Sequence, residues 1–369
     1  MKLLLKRSFV IPRIFLLLLL LGALLLAGCS VGGSNGPTIS VTDCVGRTVE
    51  VPAEPQAIAT LDPFAGQAVI LFGYGDRMTA TVGGVQRDEL LQAICPALKD
   101  ATIAKESGAV NKETLLELGI DLMFIKSDMY QNETERAQLD ALGIPYIVID
   151  YDSMASQREA MHVIGAALSC QEEAAQFETY YQQIVDQVSA VVATIPAAEY
   201  PTVYHACSEA LRTDPKESLG ADWIAVTGAE NVSVNSDDLT FQEQNYYTTL
   251  EQIFEWDPDY IICNESGVPD YIMNSKKWAG LRAVRENHVL QVPIGVSRWG
   301  HESSTETPLA ILWLAQTLYP EYFPEVDIVA EMNTYYTTFY DYEIDDATAQ
   351  EILSGKGIRT AGVDALTQD

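Results

Sequence analysis

The 369-residue chain carries 22 Lys and Arg against 52 Asp and Glu, a formal net charge of −30. That surplus of acid argues against nucleic acid and anionic lipid headgroups as partners, because both repel a negative surface. The length suits two lobes, each with its own core.

In chain order the first feature is a positive N-terminus, with Lys2, Lys6, Arg7 and Arg13 ahead of an apolar run from Ile14 to Ala27. A membrane-spanning helix needs about 20 apolar residues, and this run falls short of that. It fits the apolar region of a secretory signal. The LAGC sequence ending at Cys29 resembles the lipobox of bacterial lipoproteins. The resemblance implies a signal peptide over 1–28, cleavage before Cys29, and a lipid on its thiol. An uncleaved N-terminal anchor is the alternative. Residues 29–38 then form a lipidated, Gly/Ser-rich spacer. The chain is expected outside the cytoplasm, tethered to the cell membrane, and facing the periplasm where an outer membrane exists. No second long apolar run follows.

The mature part alternates short apolar runs with helical segments, the pattern of an α/β fold. The first lobe, 39–152, has predicted strands at 57–61, 77–82, 121–125 and 145–150. Helices are predicted around Phe64–Phe72, Lys112–Leu118 and Glu135–Leu142. Residues 153–196 form a helical connector. Phe177, Tyr181, Ile184, Val188 and Val191 recur at steps of three and four, a helical spacing. No Gly or Pro interrupts Cys170 to Ile195, which predicts one rigid helix of about 24 residues, roughly 36 Å long. The second lobe, 197–369, has predicted strands at 202–206, 259–263 and 288–293, and a short one at 231–234. Its predicted helices are Leu219–Thr227, Thr249–Trp256, Lys277–Arg285 and Thr305–Leu318. Ser303-Ser304-Thr305-Glu306 predicts a capping box for the last, with Pro308 in its first turn. The expected fold is therefore two lobes, each a mainly parallel sheet flanked by helices, bridged by one long helix, with a ligand cleft between them.

In open α/β sheets ligands sit beyond the carboxyl ends of the strands. The loops there hold Asp62, Arg87, Lys126, Tyr130, Tyr151, Arg212, Arg298, Trp299 and His301. Four of these are cations in a cation-poor chain, which points to an anionic ligand. An arginine fork suits carboxylates, catecholates and phosphates. The aromatic residues offer stacking or edge contacts to a flat ligand. His205 and His301 lie near these loops, and each offers one ligand to an iron or cobalt centre. Four histidines in the whole chain are too few for a His-rich metal site. Five cysteines follow Cys29 (Cys44, Cys95, Cys170, Cys207, Cys263), without a C-x-x-C motif. An odd number cannot all pair with one another, and spacing alone leaves the pairing open. No G-x-S-x-G, H-E-x-x-H or P-loop occurs, so an enzyme is not expected.

Five ordered stretches resemble the helical-backbone, class III solute-binding proteins of siderophore, haem, cobalamin and metal importers. They are residues 41–61 (VTDCVGRTVEVPAEPQAIATL), 110–125 (VNKETLLELGIDLMFI), 216–232 (KESLGADWIAVTGAENV), 248–266 (TTLEQIFEWDPDYIICNES) and 278–293 (WAGLRAVRENHVLQVP). Gly119-Ile120 stands where that family more often has proline. The resemblance implies a monomer that delivers a small-molecule metal complex to an ABC permease and its ATPase, with no cofactor of its own. Glu113 and Glu251 match the family's permease-docking acids. Trp299 and Tyr246 fall where it often contacts ligand. An iron complex, ferric siderophore or haem-like, is the expected cargo. A corrinoid or metal oxyanion is the alternative. A lipid-anchored hydrolase and a sensory or adhesion module are readings from other classes.

Overall fold

The computed structural model describes residues 36–106 and 109–356. The signal peptide, Cys29 and most of the spacer lie outside the described residues.

The chain opens on a hairpin of β1 (Thr38–Thr42) and β2 (Thr48–Pro52). Asp43, at its turn, accepts from the Arg47 guanidinium and from the Val148 amide, which fastens the hairpin to the first sheet. That sheet contains β3 (Ile58–Thr60), β4 (Met78–Val82), β5 (Thr102–Glu106), β6 (Ala109–Val110), β7 (Leu122–Lys126) and β8 (Tyr146–Ile149). Its order is β6-β5-β4-β3-β7-β8, and only the β5–β6 pair is antiparallel. Strands β3, β7 and β8 are buried almost throughout. Both faces of a parallel sheet are covered by helices, so its strands are continuous apolar runs rather than alternating ones.

The second lobe holds β9 (Thr202–Ala206), β10 (Arg212–Thr213), β11 (Glu230–Asn231), β12 (Thr240–Gln242), β13 (Asn245–Tyr247), β14 (Tyr260–Cys263) and β15 (Val289–Gln291). Strands β11-β9-β14-β15 form a parallel sheet. Strands β10, β13 and β12 form a small antiparallel sheet.

The connector is two helices. Met154–Ala167 begins with a capping box between Ser153 and Ser156. The chain turns at Ser169, where φ is 59°, and the long helix Gln171–Val192 follows. Its buried stripe is Phe177, Tyr181, Ile184, Val188 and Val192, the predicted face carried on from 188 by a step of four. Twenty-two residues span about 33 Å at ~1.5 Å each.

The last helices, Thr307–Leu318, Ile328–Tyr340 and Asp346–Leu353, return along the connector. Phe339 meets Phe177 and Tyr180 edge-on at 5.4 and 5.3 Å between ring centres. Gln67 of the first lobe bonds the Ser303 carbonyl and the Thr305 amide. The C-terminal segment thus clasps the first lobe as well as the second. The predicted capping box at 303–306 is not formed. The helix starts at Thr307 without a side-chain cap, and Pro308 sits in its first turn. Glu306 is instead fully buried, and accepts from the Ser297 amide at 2.8 Å, the Trp299 indole at 3.1 Å and the Tyr336 hydroxyl. Among the described residues no helix is long and apolar enough to cross a membrane.

Candidate functional site

A cavity of about 200 Å³ opens at the carboxyl ends of β9 and β14, on the second lobe's side of the cleft. Arg212, Tyr246, Asn264, His301 and Glu302 line it, with Asp152 from the start of the connector. A broader, shallower hollow between helices Lys112–Glu117 and Glu133–Asp140 is lined by surface side chains such as Lys112 and Gln138. Its Lys112 ammonium donates to Gln138 at 3.1 Å, and no residue of the strand-end loops lines it.

The cavity wall is built by tight loops. After β9 the chain passes through Ser208 at φ 69°. The buried Asn264 side chain holds that turn by accepting from the Ser208 amide at 2.7 Å. The next wall is the first turn of helix Leu219–Val226, capped by the Ser218 hydroxyl on the Ala221 amide. The first amides of a helix have no partner within it. The third wall is the β12–β13 hairpin, whose turn residues Glu243 and Gln244 both have positive φ.

The predicted cations divide sharply. Lys126 binds Glu302 at 3.2 Å and lies 4.5 Å from the centre of the Tyr151 ring. Burial opposes its charge, but Glu302 and Asp62 outweigh that and hold the ammonium above its ordinary pKa. Arg298 binds Glu265 at 2.6 Å, the Ser208 hydroxyl at 2.9 Å and His301 Nε2 at 2.9 Å. Arg87 is exposed, is not part of the cavity wall, and folds back over Gly83 of its own short helix. Arg212 is different. It lines the cavity, and among the described residues its guanidinium makes no hydrogen bond or ion pair. A half-buried guanidinium without a carboxylate is a standing attraction for an anion.

Several of the predicted contacts lie outside the cavity lining. Trp299 is 0 % exposed and spends its indole N–H on Glu306, so it faces the core rather than the ligand. Tyr151, 1 % exposed, stacks on Phe64 and donates to Asp62. Asp62 is itself buried and caps helix Pro63–Leu71; burial pushes its carboxyl above the usual range, against the Tyr151 hydroxyl and Lys126. Tyr130 lies under the guanidinium groups of Arg47 and Arg136. Tyr246 and His301 do line the cavity. Glu113 and Glu251 are exposed in the first turns of helices Lys112–Glu117 and Leu250–Trp256, where a carboxylate also suits the helix dipole.

Residues that sequence reasoning left apart also meet here. His205, Cys207 and Asp214 form one cluster, of which Cys207 and Asp214 line the cavity and His205 lies buried behind them, with Asn231 Nδ2 donating to Asp214 at 3.1 Å. Burial, and next the Asp214 carboxylate, hold the Cys207 thiol well above its ordinary pKa. The signal for this cluster was present as two residues separated by one, but β10 was needed to bring Asp214 back. All five cysteines after position 29 are free thiols.

Residues 58–293 match the family described as periplasmic binding protein. The molybdate-binding protein MolA of Haemophilus influenzae is 33 % identical over 103 residues, 27 % of this chain and 29 % of that relative. The chain therefore aligns with less than a third of this curated relative's length. Among solved structures, a periplasmic solute-binding protein of Veillonella parvula superposes with a TM-score of 0.74 at 24 % identity, covering 87 % of this chain and 98 % of that one. Molybdate-bound MolA superposes with a TM-score of 0.74 at 19 % identity, covering 83 % and 99 %. CeuE of Helicobacter pylori with bound Ni(II) gives 0.70 at 19 % identity, covering 85 % and 99 %. At these identities the structures show a common fold.

Proposed function

The chain belongs to the periplasmic binding protein family, and we propose that it is the extracytoplasmic, lipid-anchored binding component of an ABC importer that captures a compact oxyanion beside Arg212. The unpaired Arg212 guanidinium in the cavity carries this reading. It is supported by the amides of the Leu219–Val226 first turn, which offer donors and a positive dipole end to an anion. Size supports it too. A cavity of about 200 Å³ lies below the roughly 300–1,000 Å³ of pockets for drug-sized ligands. A compact ligand suits that volume better than a macrocycle, which favours an oxyanion or a small complex within the wider set suggested by sequence. MolA, related over 103 residues, is by name a molybdate binder. Glu113 and Glu251 remain the proposed permease contacts.

A small ferric complex is the second reading. It uses the same Arg212 and adds the half-buried Tyr246 ring at the cavity wall. Titration of the purified protein separates the two. Trp223 packs over Gly300, donates to its carbonyl at 3.0 Å, and so reports on the cavity wall by its fluorescence. Molybdate, tungstate, sulfate and phosphate are titrated beside ferric siderophores, haem and cobalamin. Saturation by one oxyanion at one equivalent is expected, with no response to haem or cobalamin. Silence toward every oxyanion overturns the oxyanion reading, and a response to a ferric siderophore alone replaces it with the second.

A further inference from the structure

The cavity floor carries a second chemistry, independent of the importer reading. Cys207 Sγ lies 3.4 Å from His205 Nδ1 and 3.3 Å from Asp214 Oδ1, and that nitrogen lies 2.7 Å from Asp214 Oδ2. We infer that His205, Cys207 and Asp214 together hold a divalent transition-metal cation of the zinc or nickel class, with a further coordination position open to the cavity.

The spacing fits such an ion. Zinc bonds sulfur at about 2.3 Å and nitrogen or carboxylate oxygen at about 2.0–2.2 Å, so a tetrahedral centre sets its donors roughly 3.4–3.6 Å apart. Both contacts of Cys207 already lie within about 0.3 Å of that range. His205 Nδ1 bonds the other carboxylate oxygen, Oδ2, at 2.7 Å, so on binding that hydrogen bond breaks and the carboxylate turns to offer the metal one oxygen. The donor chemistry is selective. One thiolate, one imidazole and one carboxylate suit borderline transition metals, whereas calcium and magnesium require sets of oxygen ligands.

The surroundings hold the donors in place and leave a way in. His205 is anchored in β9 between two paired strands, its ring edge-on to Trp223. Asp214 is fixed by Asn231 and covered by Gly220, where a Cβ would strike its carboxylate. Partners that orient a ligand in this way are part of a working metal site. Cys207 and Asp214 line the cavity, so an ion reaches them from the cleft. The charges close as well. Cys207 releases its thiol proton to solvent on binding. The imidazole binds neutral through Nδ1, so the proton that Nδ1 shares with Asp214 in the metal-free site moves to Nε2, where the structure gives it no acceptor. Thiolate and carboxylate then neutralise the dication, and Arg212 keeps its attraction for an anion at the same cavity.

Cobalt(II) tests the site, because a thiolate ligand gives it a charge-transfer band in the near ultraviolet. The chelator-stripped, reduced protein is titrated with cobalt(II) alone. A band that saturates at one equivalent and is displaced by zinc is expected. Cys207→Ala should abolish the band, and Asp214→Asn should weaken zinc binding at least tenfold. Cys44→Ser, far from the cavity, should retain both. Metal-free melting curves establish that each variant is folded. No band in the unsubstituted protein, or a band that survives in folded Cys207→Ala, overturns the site. Oxyanion titration of the metal-free protein is a separate readout, so either claim fails without the other.

Discussion

Replacing Glu306 by Gln isolates one buried acid. Burial pushes the Glu306 carboxyl from an ordinary 4.5 up to about 7, against the hydrogen bonds from Tyr336, Ser297 and Trp299. Between those two values the unfolded chain has lost the proton and the folded chain keeps it. The unfolded state then binds fewer protons, so stability falls as pH rises. The contribution is fully present below about pH 4.5 and is lost by about pH 7. At ~1.4 kcal/mol per pKa unit the loss is about 3 kcal/mol. One amide cannot accept all three hydrogen bonds, so Glu306→Gln also carries a cost, but that cost does not vary with pH. The assay is denaturant unfolding of both proteins at pH 5 and pH 8. The stability of the unsubstituted protein minus that of the variant should be larger at pH 5, by about 3 kcal/mol. A difference that is constant, or that grows with pH, refutes the reasoning.

Three further outcomes follow from the same contacts. Trp299→Phe removes a donor from the buried Glu306 and should lower stability by about 1–3 kcal/mol, with ligand affinity changed less than twofold. A selective loss of binding would return Trp299 to the ligand site. Gly295→Ala places a Cβ against the Glu306 carboxylate and Tyr336 hydroxyl and should cost about 1–3 kcal/mol. An unchanged melting temperature contradicts that packing. Glu113→Ala and Glu251→Ala should bind ligand normally and impair uptake in cells; unaltered uptake in both removes the docking assignment.

The parallel strands were legible because burial on both faces writes them as apolar runs, as at residues 121–125 and 259–263. The long connector helix was legible from its apolar spacing. Its start was legible too, since the uninterrupted stretch predicted from Cys170 begins one residue before the helix does. The β12–β13 hairpin escaped notice. Its segment is polar and partly exposed, and it is held by backbone pairing rather than by an apolar pattern. The site was legible only as a set of loops. Which cation stays available depends on distant acids: Glu302 takes Lys126 and Glu265 takes Arg298, and neither pairing leaves a local signature. Ser303 to Glu306 misled because the spacing of a capping box was met by a glutamate whose partners are Ser297, Trp299 and Tyr336.

Calorimetric titration of molybdate into the metal-free protein and its Arg212→Ala variant tests the central claim most directly. A charge-assisted hydrogen bond contributes about 1.5–3 kcal/mol, so the variant should bind roughly 10- to 150-fold more weakly. Trp299→Phe, run in parallel, should bind as the unsubstituted protein does. Equal affinity in Arg212→Ala and the unsubstituted protein would contradict an anion site built on Arg212.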